Sequence, residues 1–213
     1  MATDTYQLLV DYLYRTNQKE LILKLQTVLG IPDHKNCVLY MCQEGCLSVI
    51  QWMDEKGLIT TNIFDMYDLF SISCYYGHIA LARWFVDRFP ELLDLDLDHD
   101  QRFPELLDLD QYLDQDHRLE YIYMFLNCCE RGHLEIVQWL ATILPITSDE
   151  IRIDNNHIFQ LTCENGHLEL VQWLVETFSL TIDDMTARRD HAFIISCHGG
   201  HNDVVKWLCQ TFT

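Results

Sequence analysis

The chain has 213 residues, of which 49% are hydrophobic, so it can bury a core but is too short for several ordinary domains. Its 33 acidic and 14 basic residues give a formal net charge of −19, which argues against nucleic acid and anionic membranes as partners. The sequence contains no apolar run of the roughly 18 residues that a membrane span needs, no secretory signal at its start and no Cys-x-x-Cys pair among its nine cysteines. We therefore expect a soluble, cytoplasmic protein with reduced thiols.

Residues 1–35 predict a pair of helices at the start of the fold. The segments YQLLVDYLYR and KELILKLQTVLG both have helical patterns, and Leu25 stands where later segments place a tryptophan. The polar stretch between them suits a terminal unit, because such a unit exposes one face to water. This segment is therefore interpreted as a degenerate capping unit.

A twelve-residue pattern then recurs five times. Each copy has a glycine, a cysteine three residues before it and a tryptophan seven residues after it. The glycines stand at positions 45, 77, 132, 166 and 200, and the copies read CQEGCLSVIQWM, CYYGHIALARWF, CERGHLEIVQWL, CENGHLELVQWL and CHGGHNDVVKWL. The spacing predicts repeats over 36–68, 69–120, 121–154, 155–188 and 189–213.

Each copy predicts two short helices joined by a tight turn. Phe159 and Cys163 are four residues apart and share one helical face, and Leu168 to Val175 follows the spacing of a buried helical stripe. Gly166 is placed to end the first helix in the left-handed conformation. Because helices this short are marginal alone, the units are expected to stack on one another.

The glycine-histidine pair, followed by Leu-Glu-Ile/Leu-Val on a period of about 34 residues, resembles the ankyrin repeat. The Cys/Trp-rich form is similar to the ankyrin arrays of giant DNA viruses and amoebae. The resemblance covers about residues 36 to 213 and implies an all-α, ankyrin-like helix-turn-helix solenoid of about six helix pairs. The Thr-Pro-Leu-His opening of the family is missing and its Gly-Ala-Asp-Val-Asn hairpin is weak, so the hairpin geometry stays open.

The repeated cysteine, histidine and tryptophan are interpreted as architecture. Cys163 and His167 have the residue types of a nucleophile and its base, but the pair recurs in four copies, whereas an active site is needed once. Two ligands per layer do not complete a tetrahedral zinc site. The registered tryptophans favour a core position between layers over a ligand-stacking platform. We therefore expect no catalysis, no cofactor and no metal.

One step between glycines is longer than the others. The segment RFPELLDLDLDHDQ at 88–101 is followed by RFPELLDLDQYLDQ at 102–115, a tandem duplication that predicts an acidic loop inserted near residues 88–116. Five of its acidic residues stand at positions 1, 3, 5, 7 and 12 of an EF-hand-like loop: Asp94, Asp96, Asp98, Asp100 and Glu105. However, His99 occupies the glycine position and Pro104 disfavours the exiting helix. A solvated loop is therefore favoured, with a calcium-responsive module as the alternative.

The resemblance implies that the chain binds another protein on the concave ankyrin surface, possessing no catalytic residues of its own. The two residues before each turn glycine vary while the frame repeats, and residues at the expected hairpin tips extend the same surface. The candidate contact residues are Gln43, Glu44, Asp65, Tyr75, Tyr76, Glu120, Glu130, Arg131, Asp154, Glu164, Asn165, Arg188 and His198. The acidic charge and the insertion predict a basic patch on the partner, which is expected to dock around Tyr75, Tyr76 and Arg131.

The calcium alternative predicts a measurable stabilisation. A specific site in the insertion would raise the melting temperature of the full chain in calcium relative to a chelator, because a ligand that binds only the folded state stabilises it. Thermal unfolding under both conditions measures this difference. Since we favour a solvated loop, we expect equal melting temperatures, and a rise on calcium addition would establish the alternative.

Overall fold

The protein is described by a computed structural model, which covers residues 9–10, 12–13, 15–16, 18, 21, 34–60, 64–93, 117–144, 146–185 and 187–211. Within these ranges the chain forms helices and turns and no strand, which confirms the all-α, helix-turn-helix fold. No helix in the described ranges has the length and apolar character needed to cross a membrane. The acidic insertion from residue 94 to 116 lies outside the described residues.

Five pairs of helices carry the five sequence copies. The first helices of the pairs are α1 (His34–Gln43), α3 (Met66–Tyr75), α5 (His117–Glu130), α8 (Ile153–Glu164) and α11 (Ala187–Gly199). The second helices are α2 (Leu47–Glu55), α4 (Ile79–Arg88), α6 (Leu134–Ile143), α9 (Leu168–Phe178) and α12 (Asn202–Thr211). Among the described residues, three short helical segments lie between pairs: a 3-10 helix at Pro90–Leu93, α7 (Ser148–Ile151) and α10 (Ile182–Met185).

The chain divides into two compact units. The first comprises Met1–Leu92 and the second Leu93–Thr213, so the division falls within the first copy of the duplicated segment. The first unit contains α1 to α4, and the second contains α5 to α12. In the first unit Leu9, Val10 and Leu13 are buried, and the ring of Tyr12 stacks on Trp52 at 4.4 Å between centroids. Part of the predicted capping segment therefore packs on the first copy.

The core consists of one buried face on each first helix, centred on a phenylalanine in three of the copies, and a stripe on each second helix. Phe70, Phe125 and Phe159, each seven residues before its glycine, are fully buried. In α9 the buried side chains are Leu170, Val171, Leu174 and Phe178, whereas the predicted stripe members Leu168 and Val175 are half-buried. The buried stripe is thus displaced around the helix by about one position from the predicted one. It includes Leu170 and Phe178 in place of Leu168 and Val175.

The expectation that the tryptophans fill the core is wrong for all five. Trp52, Trp84, Trp139, Trp173 and Trp207 are half-buried at the edge of their helix pairs. Trp84 meets Phe89 edge-on at 6.2 Å, and Trp173 meets Phe178 at 5.7 Å. In these two copies the indole packs on the aromatic residue at the end of its own second helix. The indole thereby covers the edge of the core. Trp is rarely buried completely because of its size, and phenylalanine and aliphatic side chains fill the core instead.

The turn between the two helices has the same hydrogen bonds in every copy. In the fourth copy Gly166 has φ +75°, its N–H donates to Cys163 O, and the N–H of His167 donates to Thr162 O. These two bonds define a Schellman motif, in which the left-handed residue favours glycine. The prediction that Gly166 ends the first helix in this conformation is confirmed.

In the second, fourth and fifth copies the histidine after the turn glycine contacts the preceding repeat. His78 Nε2 lies 2.7 Å from Gln43 O, and His167 Nε2 lies 2.8 Å from Glu130 O. A Cβ added to Gly45, Gly132 or Gly166 would overlap the ring of the histidine one repeat later. Two features therefore require glycine at these turns. One is the left-handed backbone conformation, and the other is the imidazole ring that packs where a Cβ would lie.

The connections that lead to α8 and α11 contain short helices, and the described parts of the connections contain no β-hairpin. Thr147 and Glu150 form a capping box at α7, and Thr181 and Asp184 make the same reciprocal bonds one repeat later. The carboxylates of Glu150 and Asp184 cap the first turn of a short helix at these connections. The chain therefore turns without the two strands of a hairpin. The hairpin geometry that the sequence left open is thus helical at these two connections.

Four residues predicted at hairpin tips therefore have other positions. Asp65 is the N-cap of α3 and accepts a bond from Tyr67 N, and Glu120 lies in the first turn of α5. Asp154 begins a left-handed stretch of three residues, and Arg188 falls within α11, where its side chain is outside the described ones. Asp154 and Arg188 are thus not at hairpin tips, because the connections that lead to α8 and α11 are helical.

We expect Gly132→Ala to destabilise the protein more than Gly200→Ala. Both glycines have φ +75°, but a Cβ at Gly132 would overlap His167, whereas Gly200 has nothing within 4 Å. The backbone term alone is about 1 to 2 kcal/mol for an L-residue in this conformation. Overlap with the ring should add about 1 to 3 kcal/mol at Gly132.

Urea unfolding of the two variants and of His167→Ala checks this prediction. His167→Ala alone should cost about 1 to 2 kcal/mol through the lost hydrogen bond and packing. In the double variant with Gly132→Ala the costs should be less than additive, because the overlapping ring is gone. Additive costs would show that the ring does not pack on the glycine in solution.

Candidate functional site

The residues before the turn glycines form a row within each compact unit. This turn surface comprises Gln43-Glu44 and Tyr75-Tyr76 in the first unit, and Glu130-Arg131, Glu164-Asn165 and His198-Gly199 in the second. Consecutive turns are held against each other by the histidine contacts, and the carbonyl of Glu164 would lie 3.0 Å from a Cβ at Gly199. The described turns therefore place successive pairs next to one another.

Most side chains of the turn surface are open to solvent. Glu44, Glu130, Arg131, Glu164, Asn165 and His198 are exposed, and Gln43 and Tyr75 are half-buried. Tyr76 is 42% exposed, and its ring meets that of Tyr75 edge-on with 5.1 Å between centroids. A large aromatic side chain at the surface is an anchor that can bury area on binding.

The remaining predicted contact residues are dispersed. Asp65 and Glu120 are half-buried at the starts of first helices, and Asp154 is exposed. These three lie at the opposite end of the first helices from the turn glycines. The first helix separates the two sets by about 15 Å for a ten-residue element. The sequence thus predicted one surface, and the structure assigns its members to two ends of the first helices.

The end of the first helices away from the turn glycines carries an ionic cluster that the sequence did not predict. Arg152 Nε donates to Asp184 Oδ1 at 2.8 Å, its Nη2 donates to Oδ2 at 3.2 Å, and Asn156 Nδ2 donates to the carbonyl of Asp184 at 2.8 Å. The hydrogen bond from Arg152 lowers the pKa of the Asp184 carboxyl. These bonds join the connection that leads to α8 with the connection that leads to α11. Arg152 and Asp184 therefore have a structural role.

Three consecutive residues beside this cluster have left-handed backbones. Asp154, Asn155 and Asn156 have φ values of +50°, +56° and +65°, and Asn156 is buried with an Oδ1 atom that has no hydrogen-bond partner. Asn and Asp tolerate this conformation better than other non-glycine residues. The bond from Gln160 Nε2 to Asn155 O, at 2.7 Å, helps to hold the stretch.

The repeated cysteines have the environment of structural thiols. Cys42, Cys74, Cys129 and Cys163 are fully buried. Burial raises the pKa of Cys42 to about 12, against a hydrogen bond with Ser73 that lowers it, and burial also raises the pKa of Cys163. A buried neutral thiol is a poor nucleophile.

The cysteine and the histidine of one copy also contact different repeats. The ring of His167 bonds to Glu130 O of the preceding repeat, whereas Cys163 contacts Ser196 of the following repeat. The geometry of the pair is thus that of contacts between layers. No group of three or more His, Cys, Asp or Glu side chains placed to share a metal ion occurs in the described ranges.

The buried thiols predict a loss of stability at high pH. Cys42 and Cys128 have pKa values raised to about 12 by burial from an ordinary value of 9.0, so they stay neutral in the fold and ionise when the chain unfolds. Their stabilisation is fully present below the unfolded pKa and is lost as pH rises towards the folded one. Each such thiol should lower the free energy of unfolding by about 1.4 kcal/mol per pH unit in this window.

Urea unfolding between about pH 8 and pH 11 measures this loss. Cys42→Ala should reduce the slope of the free energy of unfolding against pH, although its stability at neutral pH is lower. Val49→Ala is the matched control, because it removes a buried apolar side chain of the same helix pair but no ionisable group, so the slope should stay unchanged. Equal slopes in all three proteins would contradict a neutral, buried Cys42.

Comparison with known families agrees with the geometry of the second unit. Residues 123–212 match the family model described as ankyrin repeats, in three copies. No curated protein matches the chain. The matched residues begin within α5 and end after α12, so they contain the last three helix pairs and their turns. Ankyrin repeats are therefore found in this part of the chain.

Proposed function

We propose that the protein is a non-catalytic interaction module that binds a partner protein on the turn surface. Ankyrin repeats generally mediate protein–protein interaction and are typically non-catalytic. The observation that carries the proposal is the division of roles at each turn. The backbone carbonyls of Gln43 and Glu130 accept the bonds from the next repeat, so the bond does not depend on which side chain stands there.

This division favours recognition by variable side chains on a constant frame. The turns keep the same backbone bonds, while their side chains change from Tyr75-Tyr76 to Glu130-Arg131 and Glu164-Asn165. Binding residues are commonly found on connecting segments held by a rigid scaffold. Tyr and Arg are enriched among the residues that dominate binding energy, so Tyr76 and Arg131 are the leading anchors.

The charge of the chain indicates the chemistry of the partner. A formal net charge of −19 attracts a basic patch and repels phosphate backbones and anionic bilayers. The duplicated acidic segment would strengthen this field. We therefore infer a protein partner with a basic patch, whose encounter rate falls as salt screens the attraction.

The proposed biological role is that of an adaptor. The Cys/Trp-rich copies resemble those of giant DNA viruses and amoebae, which supports a viral, host-directed adaptor acting in the host cytoplasm. In such a role the chain would recruit one protein without altering it chemically. Affinity purification from the native cell, followed by mass spectrometry, would identify the partner and its cellular compartment.

We expect Tyr75→Ala with Tyr76→Ala to weaken partner binding mainly through faster dissociation. Removing two close aromatic rings removes contact area but leaves the long-range charge unchanged, so association should change little. Surface-immobilised kinetics against the purified partner measures both rates. Neutralising Asp94, Asp96, Asp98 and Asp100 should have the opposite effect, with slower association and weaker salt dependence.

The matched control is Arg83→Ala with Asp87→Ala, which alters two exposed residues on the second helix of the same repeat. This pair should leave the dissociation rate close to that of the wild type. Melting temperatures of all variants should be compared so that unfolding is separated from lost contact. An unchanged dissociation rate in the tyrosine variant would place the contact surface elsewhere on the protein.

A further inference from the structure

The second turn of the first unit differs in chemistry from the other turns. Tyr75 and Tyr76 occupy the two positions before its glycine. The same two positions in the other copies hold Gln43-Glu44, Glu130-Arg131, Glu164-Asn165 and His198-Gly199. Two adjacent aromatic side chains are therefore a local feature of this repeat and not a part of the repeated frame.

The two tyrosine rings form a corner at the surface. Their centroids are 5.1 Å apart and their planes meet at 72°, while Tyr76 is 42% exposed and Tyr75 is half-buried. Because the planes are nearly perpendicular, one small group in the corner can contact both rings. The face of an aromatic ring carries partial negative charge. The corner therefore favours a cation over an anion.

Glu44 supplies a full negative charge on the neighbouring turn. His78 Nε2 lies 2.7 Å from Gln43 O, and the His78 ring packs where a Cβ of Gly45 would lie. Glu44 stands between these two contacts, is exposed, and occupies the position that Tyr76 occupies one repeat later. The carboxylate and the rings thus belong to two turns that touch each other.

The backbones that carry these side chains are fixed before any ligand arrives. The N–H of His78 donates to Ser73 O at 2.9 Å, and the N–H of Cys46 donates to Met41 O at 2.9 Å. Less conformational entropy is lost when a ligand binds to turns that are already ordered. Residues 43–48 and 75–80 contain no lysine or arginine, so neither turn supplies a cation of its own to the corner.

We propose that Tyr75, Tyr76 and Glu44 bind the ammonium group of a lysine side chain on the partner protein. This site is part of the turn surface, so the inference rests on the function proposed above. A ring face attracts the cation, and the carboxylate adds a Coulomb attraction. An ammonium is compact and can contact two perpendicular rings, whereas a planar guanidinium stacks on one. The four-carbon stem of lysine can lie along the apolar parts of the rings.

A lysine analogue tests the site without the partner. The full chain is titrated with Nα-acetyl-lysine methylamide, and the ring signals of Tyr75 and Tyr76 are followed by NMR after assignment with single Tyr→Phe variants. The matched probe is Nα-acetyl-norleucine methylamide, which has the same backbone and an apolar side chain without the ammonium. We expect saturable shifts with the lysine probe, with a dissociation constant on the order of tens of millimolar, and no saturable shift with the norleucine probe.

Two substitutions separate the contribution of the ring from that of the carboxylate. Tyr76→Leu should weaken binding of the lysine probe about two- to fivefold, whereas Tyr76→Phe should retain it because the ring face remains. Glu44→Gln should weaken binding by about two- to fivefold and reduce its salt dependence. The control is Glu164→Gln, which neutralises an exposed turn glutamate with no aromatic residue beside it in its turn and should leave binding unchanged. The melting temperatures of all variants are compared with that of the wild type.

Three results would overturn the lysine site. Equal shifts with the norleucine probe would show a merely apolar contact, and unchanged binding in Glu44→Gln would remove the carboxylate from the site. Equal losses in Glu44→Gln and Glu164→Gln would show that only the net charge matters.

Failure of this inference can be distinguished from failure of the proposed function. If the lysine probe does not bind but Tyr75→Ala with Tyr76→Ala still speeds partner dissociation, the turn surface is right and the lysine assignment is wrong. If the lysine probe binds but the same double variant leaves partner dissociation unchanged, the site exists and the partner contacts another surface.

Discussion

The contact between an imidazole and the turn glycine of the preceding repeat is the constraint on which the described layers depend. One ring packs against Gly132 and, through Nε2, meets the carbonyl of Glu130. The same histidine also takes the C-terminal backbone bond of its own turn through its N–H. A single residue therefore fixes the end of one helix, the start of the next and the spacing to the layer before. Any side chain on the glycine would push the two layers apart.

Small polar residues beside the cysteines complete the contact between first helices. Ser73, Thr162 and Ser196 are buried, and each hydroxyl donates to the carbonyl four residues earlier at 2.7 Å. The hydroxyl of Ser196 also lies 3.2 Å from Cys163 O, in the neighbouring repeat. A hydroxyl that is satisfied within its own helix can be buried at a close approach without loss. This allows helices with cysteine at the crossing to pack closely.

Much of this frame could be predicted from the sequence, because it depends on local spacing. The period located the turn glycines, the paired helices and the buried Phe159 and Cys163. The position of His167 at the start of the second helix followed from the same pattern. Its bond to Glu130 O did not, since that bond depends on how two layers are aligned. The recurrence of histidine after glycine, with Cys46 in the first copy, was the available signal.

The turn surface was predictable only in part, because variation among copies does not separate contact from mere exposure. Gln43 and Glu130 were chosen for their side chains, and their carbonyls proved to be structural. Asp154 and Arg188 were assigned to hairpin tips, but the connections that lead to α8 and α11 use capping-box bonds, which hairpin consensus positions do not describe. The ionic pair of Arg152 and Asp184 joins residues 32 positions apart and has no local pattern.

The bonds between layers all span nearly the same distance along the chain. Asp54 and Arg88 are 34 residues apart, Cys163 and Ser196 are 33 apart, and Glu130 and His167 are 37 apart. Closing each of these loops therefore costs a similar entropy, and no contact among them must wait for a distant segment. Folding with such a low contact order is expected to be fast and can start at any helix pair. As the chain leaves the ribosome, each new pair can dock on the finished pair of its own compact unit before the next is made.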